Sequence, residues 1–279
     1  MTSGLPKFSI VVPSFNQGKY IEETIRSVLD QDYPSKELIV IDGGSTDGTC
    51  DVIRKYEDRI AYWVSEKDRG QAHAVNKGFA VATGNIFGWQ NSDDVYLPGA
   101  FRKVAAAVAD HPRKDIYHGH IKYLDEEGRE RDENRAVPVR LFNLLYDGSL
   151  VRNQATFFRR DVWERIGGLE EEFRFCMDRE FFLRAAHGGA GFRLVPRFLG
   201  AFRVHGDAKT HGMQEVRREE DERLMDRYAS SPGPLRRRLG KSASLGFRAL
   251  AYLCQGDVRY AADRVLRNLG FREAPLRTG

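Results

Sequence analysis

Apolar and polar positions alternate in blocks along the first 90 residues. Four short apolar runs are typical of buried strands. They occupy residues 8–12, 38–41, 60–64 and 86–89. Between these runs, apolar residues recur at helical spacing, as Ile21, Ile25 and Val28 do. Strand and helix therefore alternate four times, which predicts an α/β fold: a mostly parallel central sheet with helices on both faces.

The pattern is looser in the second half of the chain. Residues 115–123 and 155–158 predict two further strands. Residues 192–195 and 199–204 predict a final pair of strands. Nine of the eleven residues in 125–135 are charged, so we expect a solvated loop there.

A change of character near residue 211 predicts the domain organisation. We expect one large domain over 1–211, with a first half at about 1–97 and a second at about 98–211. Residues 212–279 predict a helical C-terminal appendage. From residue 232 onward ten basic residues face three acidic ones, and apolar residues recur at helical spacing. Such basic amphipathic helices suit an anionic membrane surface, or they pack on the domain or on a second subunit.

Composition excludes several classes of protein. The net charge of +4 is mild, and we expect no nucleic-acid partner. No apolar run approaches the roughly 20 residues of a membrane span, and the N-terminus lacks the apolar core of a signal peptide. The three cysteines form no CxxC pair, which argues against a zinc site or a disulfide framework. We therefore expect a cytoplasmic protein, at most peripheral at the inner face of the membrane.

Polar loops follow the predicted strands of the first half. They occupy residues 13–17, 42–48, 66–70 and 91–94. In open parallel sheets, ligands bind at the carboxyl ends of the strands. The sequence therefore predicts a ligand site where these loops converge.

Two of these loops carry residues suited to a nucleotide and a metal. Adjacent carboxylates at Asp93 and Asp94 can hold Mg²⁺ or Mn²⁺ with one and a ribose hydroxyl with the other. The alternative is that they only cap the following helix. Asp42, followed by glycines, can accept a hydrogen bond from a nucleobase, or it begins an ordinary turn. Neither a GxGxxG loop nor a GxxxxGK[ST] phosphate loop occurs.

Four segments, taken together, resemble family 2 glycosyltransferases of the GT-A fold, which is Rossmann-like. They are SIVVPSFN at 9–16, ELIVIDGGSTDGT at 37–49, EKDRGQAHAVNKG at 66–78 and NSDD at 91–94. Their order and spacing agree with the family, and the match extends over about residues 7–205. Four motifs in register are far more specific than any one of them.

The resemblance implies roles for individual residues. Those implied to bind the nucleotide are Pro13, Phe15, Asp42, Arg69 and Asp93. Pro13 and Phe15 line the base pocket, Asp42 holds the base edge, and Arg69 contacts base or phosphate. Asp93 binds ribose or metal, and Asp94 ligates the metal. His205 is a candidate third metal ligand or diphosphate contact, and Lys209 can offset phosphate charge; a structural role for His205 stays open.

The acceptor side is implied by a later segment. The family usually has Glu-Asp before an apolar helix, with the Asp as general base; here the pair is Met177-Asp178. Asp178 therefore keeps the role of base, while the support from a preceding acid is missing. Glu180 is the alternative base, about 200° away around a helix. Gln154 is a candidate contact to a hydroxyl of the sugar or the acceptor.

The activity implied by the resemblance is inverting, metal-dependent transfer of a sugar from a nucleotide diphosphate. UDP is the default nucleotide of the family, and the acceptor is a saccharide or a lipid-linked molecule. Two rivals stay open. A sugar nucleotidyltransferase would carry a basic, glycine-rich phosphate loop after the first strand, where this chain has residues 13–18, PSFNQG. A nucleotide-sugar-binding or inactive homologue is favoured by the missing acid before Asp178.

Overall fold

One sheet organises the chain. The structure is a computed structural model that describes residues 4–147, 150–206, 212–230 and 233–268. Within these residues the sheet has nine strands. They are β1 (Phe8–Ser14), β2 (Lys36–Asp42), β3 (Tyr62–Ser65), β4 (Ile86–Trp89), β5 (Val95–Tyr96), β6 (Ile116–Leu124), β7 (Glu130–Asn134), β8 (Thr156–Arg159) and β9 (Phe192–Arg203).

Helices connect these strands and continue beyond the last one. They are α1 (Ile21–Leu29), α2 (Thr49–Arg54), α3 (Gln71–Val81), α4 (Ala100–Asp110), α5 (Leu141–Tyr146), α6 (Arg160–Ile166), α7 (Met177–His187), α8 (Gln214–Ala229), α9 (Pro234–Cys254) and α10 (Val258–Asn268). Two short 3-10 helices occupy Glu57–Arg59 and Asn153–Ala155.

The sheet has a parallel half and a mixed half. Its strand order is β3-β2-β1-β4-β8-β6-β9-β5, and β7 pairs with β6. The first four strands are parallel. Beyond β4 the pairs β4–β8, β8–β6 and β9–β5 are antiparallel, while β6 and β9 are parallel. The predicted α/β fold is confirmed. Pairing is strictly parallel among β1 to β4, the strands that alternate with helices in the first 90 residues.

Two apolar cores cover the two faces of the sheet. Phe157 and Phe158 are adjacent in β8 and fully buried, and they point to opposite faces because side chains alternate along a strand. Phe158 lies in the core beneath α3, α6 and α7, with Trp89 and Phe181. Phe157 lies in the core beneath α1 and α4. Helices therefore cover both faces, as the apolar pattern predicted.

Two local predictions were wrong. The charged segment 125–135 is not only a loop, because β7 within it pairs antiparallel with β6. Charged side chains suit a strand at the edge of a sheet, where they oppose pairing with other chains. Residues 192–204 contain one strand, β9, instead of two. Its pairing with β6 shifts register around His120, opposite the segment that contains Pro196, and such irregularities accommodate a proline.

The C-terminal helices pack on the rest of the chain. The Tyr252 hydroxyl of α9 donates to the Arg135 carbonyl oxygen at 3.0 Å, and the Arg135 amide donates to the Tyr260 hydroxyl of α10 at 3.0 Å. The boundary at residue 211 stays a prediction. Within 1–211, strands from both predicted halves share one sheet. Within the described ranges, every helix is too short or too polar to cross a bilayer.

Candidate functional site

The carboxyl ends of β1, β2 and β4 bring three polar loops together. Ser14 and Asp42 are register partners at the ends of β1 and β2, and the Gly43 amide donates to the Ser14 carbonyl at 2.8 Å. After β4, the Gln90 amide donates to the Val11 carbonyl at 2.9 Å. The loops after these strands therefore lie side by side, as expected for a parallel sheet.

Asp42 organises the loop that follows β2. Its side chain is fully buried. One carboxylate oxygen accepts from the amides of Gly44 (3.1 Å) and Ser45 (2.9 Å) and from the Ser65 hydroxyl (2.6 Å). The other accepts from the Ser45 hydroxyl at 2.5 Å. The predicted contact of Asp42 with a base stays a prediction, and in this structure the carboxylate holds its own loop in shape.

An exposed aromatic ring stands beside this loop. Phe15 is 61% exposed, whereas Pro13 is buried within β1. A Cβ at Gly43 would lie 2.8 Å from the Asp68 carboxylate and 3.3 Å from the Phe15 ring. Phe15 and Asp68 therefore both approach the backbone at Gly43. A ring face next to a carboxylate is suited to a flat base with an N–H edge.

Arg69 lies on the same side of the molecule but is engaged elsewhere. Its guanidinium makes a two-pronged contact with the carboxylate of Glu171, at 2.8 and 2.9 Å. Arg69 is mostly exposed, so this pair is accessible to water and to competing anions. The predicted contact with base or phosphate stays a prediction and requires Arg69 to leave Glu171.

Asp93 and His205 face each other although 112 residues separate them. His205 Nε2 lies 3.0 Å from Asp93 Oδ2. The His205 ring is buried against Tyr20 at 4.5 Å between ring centroids, and its Nδ1 has no partner among the described residues. Asp93 keeps 20% of its side chain exposed. A carboxylate and an imidazole so close together can supply two ligands to a divalent cation.

Asp94, the predicted metal ligand, has a different environment from its neighbour. It is 1% exposed. Its carboxylate accepts from Gln154 Nε2 (2.8 Å), Asn91 Nδ2 (2.9 Å) and the Arg203 amide (2.9 Å). Burial and the charge of Asp93 raise the pKa of Asp94 well above its ordinary value. In the part of the chain that the structure describes, no cluster of three or more metal-ligating side chains forms. The metal role of Asp94 stays a prediction.

Gln154 lies between Asp94 and the surroundings of Asp178. Its amide nitrogen contacts Asp94, while its Oε1 is buried and unpaired among the described residues. Arg152, two residues earlier, acts electrostatically on Asp178. The short 3-10 helix Asn153–Ala155 and Arg152 before it therefore connect the neighbourhoods of Asp94 and Asp178.

Asp178 lies in the first turn of α7 and is half-buried. Burial raises its pKa above the ordinary value for an aspartate. Met177, at the place of the missing acid, is 6% exposed and packs in the core. Glu180, the alternative base, is fully buried and accepts from Arg184 (3.0 Å) and the Tyr228 hydroxyl (2.8 Å). Asp178 is the more accessible carboxylate of the two.

Buried polar atoms without partners gather at this edge of the sheet. Gln90, fully buried just after β4, has both amide atoms unpaired among the described residues. Its neighbours in the same condition are Ser14 Oγ, Arg152 Nε, Asn153 Nδ2, Gln154 Oε1 and His205 Nδ1. Buried polar groups are rarely left unpaired. Their concentration here makes this edge of the sheet suited to a polar ligand.

The sequence profile of glycosyl transferase family 2 matches residues 9–169, more than half of the chain. The chain belongs to glycosyltransferase family 2. An uncharacterised family member of Mycobacterium tuberculosis is 33% identical over 189 residues, covering 67% of this chain and 71% of the relative. TuaG of Bacillus subtilis, a putative teichuronic acid biosynthesis glycosyltransferase, is 42% identical over 153 residues, covering 54% of this chain and 59% of the relative.

Solved structures support the same fold for this family 2 chain. The S. aureus protein TarS, residues 1–349 with UDP-GlcNAc, superposes with a TM-score of 0.62 at 21% identity, covering 86% of this chain and 72% of that one. The mannosyltransferase PcManGT of Pyrobaculum calidifontis, with GDP-Man and Mn²⁺, also gives 0.62, at 20% identity, covering 96% and 81%. The GT-A fold predicted from the four motifs is therefore confirmed, and family membership supports a role in glycosyl transfer.

Two residues of this site were missed by sequence reasoning. Asp68 lies in the segment 66–78 that carried the resemblance, but only the contact with Gly43 singles it out. Glu220 of α8 accepts from three backbone amides just before α7, and no pattern in the sequence relates it to Asp178. Lys209, the predicted phosphate partner, lies outside the described residues.

Proposed function

We propose that this chain is an inverting, metal-dependent glycosyltransferase that uses a nucleoside diphosphate sugar, with UDP as the first candidate nucleotide. The acceptor is a saccharide or a lipid-linked saccharide. The observation that carries the proposal is the Asp93–His205 pair, at 3.0 Å, beside the unpaired polar atoms at the ends of the strands. Structures of similar fold hold UDP-GlcNAc, or GDP-Man with Mn²⁺.

Donor binding follows from the exposed groups at the sheet edge. Phe15 offers a ring face to the base, and Asp68 offers a carboxylate to an N–H at the base edge. Asp42 supports this surface by fixing the loop that contains Gly43. We assign the base contact to Asp68 because the oxygens of Asp42 are already occupied.

The residues that fit a metal are Asp93 and His205. His205 Nε2 faces Asp93, which keeps 20% of its side chain exposed, so a cation between them can draw on both, whereas Asp94 is enclosed. A divalent cation supplies positive charge that stabilises a departing diphosphate, and Mg²⁺ or Mn²⁺ commonly takes further ligands from substrate phosphate and water. Asp94 then fixes the turn and orients Gln154.

Asp178 performs the proton transfer in this proposal. Its carboxylate takes the proton of an acceptor hydroxyl as that oxygen forms a bond to the anomeric carbon. The bond from the anomeric carbon to the diphosphate oxygen breaks, and the diphosphate leaves with the electron pair. Attack from the opposite side inverts the configuration.

Turnover of nucleotide sugars tests the proposal. We expect hydrolysis or transfer with a UDP or GDP sugar and Mn²⁺, and its loss on chelation. Asp93→Asn should lower the affinity for Mn²⁺ by at least about tenfold, as expected when a charged ligand is lost. Asp58→Asn, at an exposed position outside the site, is the matched control. Binding of nucleotide sugars without any turnover would favour the inactive homologue, and pyrophosphate release from a nucleoside triphosphate would favour the nucleotidyltransferase.

The outward face of α9 fits an anionic membrane surface. Leu235, Leu239 and Leu250 are 71%, 62% and 60% exposed and share this face by helical spacing. Arg236 and Arg238 flank it. Apolar side chains bordered by cations are typical of helices that lie in a membrane interface. We propose that the protein docks there peripherally, which suits a lipid-linked acceptor.

Vesicle co-sedimentation tests the docking. Leu239→Glu should reduce binding to phosphatidylglycerol vesicles several-fold, and added salt should weaken binding because exposed charges are screened. The control is Leu5→Glu, at a 59% exposed leucine remote from α9. Equal binding by both variants and wild type would contradict the role of this face.

A further inference from the structure

A polar cavity lies on the acceptor side of the molecule, where α5, α7, α8 and α9 meet. Its volume is about 340 Å³, within the range of small-molecule sites. Arg179 of α7 and Ser244 of α9 line it from opposite helices. None of the residues assigned above to the donor or the metal contributes to its lining.

The cavity carries an excess of positive charge. Five cationic side chains line it together with two carboxylates, Asp147 and Asp221. The cations are Arg179, Arg217, Arg237, Lys241 and Arg248. Arg248 pairs with Asp147 at 2.7 Å, and Arg179 pairs with Asp221. An excess of three positive charges therefore lies around a single cavity, which a bound anion of two or more charges would balance.

Two buried donors in this cavity have unused hydrogen-bonding capacity. Arg179 is 9% exposed and Ser244 is 1% exposed. Arg179 Nε and Ser244 Oγ lack hydrogen-bond partners among the described residues. Both can donate to an oxyanion, and buried donors of this kind are rarely left unpaired in a complete structure. Guanidinium, ammonium and hydroxyl donors around one space suit phosphate, which offers several acceptor oxygens.

The position of the cavity relates it to the acceptor. Arg179 directly follows Asp178, the base of the proposed reaction, in the first turn of α7. The rim is formed by α9, whose opposite face carries the exposed leucines. A phosphate held here would contact α7, which carries Asp178, and lie beneath the helix proposed to contact the membrane.

We propose that this cavity binds the phosphate or diphosphate group of a lipid-linked acceptor. This assignment rests on the proposed glycosyl transfer. Lys241 and Arg217 at the exposed rim attract the anion, and Arg179, Ser244 and Arg248 bind its oxygens inside. Binding there anchors the acceptor on α7, the helix that carries Asp178.

Calorimetric titration of the full chain tests the proposal, with inorganic pyrophosphate and farnesyl diphosphate as probes and EDTA present to suppress binding at the metal site. We expect both probes to bind wild type, and farnesyl diphosphate more tightly. Lys241→Glu should weaken both by about tenfold, and Lys241→Ala by a smaller factor, since each removes a charge-assisted contact. Arg259→Glu, an exposed cation on α10 outside the cavity, should change neither by more than twofold.

The outcomes separate the assignments. Absence of pyrophosphate binding, or equal affinity in wild type and Lys241→Glu, overturns the cavity assignment. Pyrophosphate binding with no gain from the farnesyl chain overturns the lipid source and leaves a free phosphate site. Loss of the same binding in Asp93→Asn overturns the assignment, because the probe would then occupy the donor site. Nucleotide-sugar hydrolysis measured in parallel tests the proposed function independently: binding without turnover rejects that function alone.

Discussion

Glu220 holds the loop that leads into α7, the helix that carries the proposed base Asp178. Its carboxylate, 3% exposed, accepts from the amides of Arg174 (2.6 Å), Phe175 (2.9 Å) and Cys176 (2.7 Å). Asp178 follows two residues later. In family 2 sequences that this chain resembles, an acid directly precedes the base, and here that position is the buried Met177. We predict that Glu220, from a distant helix, takes over the support of this turn.

The cost of changing Glu220 can be estimated from these contacts. In Glu220→Gln the side-chain amide oxygen can still accept hydrogen bonds from the backbone. The side-chain NH₂ replaces the other carboxylate oxygen and cannot accept a hydrogen bond from the backbone N–H that it faces. Losing one hydrogen bond to a charged group costs about 1.5–3 kcal/mol of unfolding free energy. Glu220→Ala leaves all three amides without this acceptor, and we expect a loss of about 4 kcal/mol, near the upper end for single substitutions.

Urea unfolding measures the loss of stability in the Glu220 variants, and steady-state kinetics measure the effect on turnover. Displacement of the turn should lower kcat of Glu220→Gln by about tenfold, equivalent to about 1.4 kcal/mol in the activation barrier. The dissociation constant for the nucleotide sugar should stay within twofold, because the donor residues lie on other loops. Glu219→Gln, at the exposed neighbouring position, is the control and should match wild type in both assays.

A clear result would refute this reasoning. If Glu220→Gln unfolds at the wild-type urea concentration and retains wild-type kcat, the three hydrogen bonds do not support the base. If stability falls while kcat does not, Glu220 supports the fold only. Equal loss of kcat and donor affinity would indicate a general distortion.

Three further predictions follow from the same geometry. Asp178→Asn should abolish transfer and keep donor binding. In wild type, kcat should fall on acidification as Asp178 is protonated, at a higher pH than for an ordinary aspartate because burial raises its pKa. Because the raised pKa means that burial disfavours the charged form, Asp178→Asn should unfold at pH 7 with equal or higher free energy than wild type, and this difference should shrink as pH falls. Gly200→Ala puts a Cβ 1.8 Å from the Gln154 carbonyl oxygen, so we expect a loss of about 3 kcal/mol in urea unfolding together with reduced kcat. Gly246→Ala is the control: its Cβ would meet no described atom within 4 Å, and alanine is the better helix former, so neither stability nor kcat should fall. Arg69→Ala should weaken donor binding, and Glu171→Gln should leave it unchanged or strengthen it, since Glu171 competes for Arg69. Each substitution should change the unfolding free energy by less than about 1 kcal/mol. Weaker donor binding in both variants would contradict a phosphate role for Arg69.

The local pattern of apolar and polar residues was enough to predict the first half of the fold. Apolar runs separated by helical spacing determine β1 to β4 and their parallel order, because β1, β4 and most of β2 are buried on both faces and each helical crossover returns the chain in the same direction. The polar loops that follow these strands were therefore located in advance. The second half was harder to predict: the charged β7 lacks an apolar run, and its pairing with β6 depends on the hairpin.

The roles of individual side chains depended on tertiary contacts, as the different surroundings of Asp93 and Asp94 show. The two are adjacent and chemically identical, so their sequence could not rank them. Packing encloses Asp94 with Gln154 and leaves Asp93 opposite His205, 112 residues away. The same holds for Asp68 beside Gly43, since the distance between loops is set by the sheet and not by either loop.

The sequence by itself determined the family, the α/β class and the strand ends where the site lies, since these follow from periodicity and motif order within short stretches. Only the tertiary structure decided which carboxylates are available, how Glu220 supports the turn before Asp178, and that basic side chains of three helices share a cavity. The physical reason is that burial, hydrogen bonding and charge balance are properties of neighbours in space, and here those neighbours lie on elements far apart in the chain.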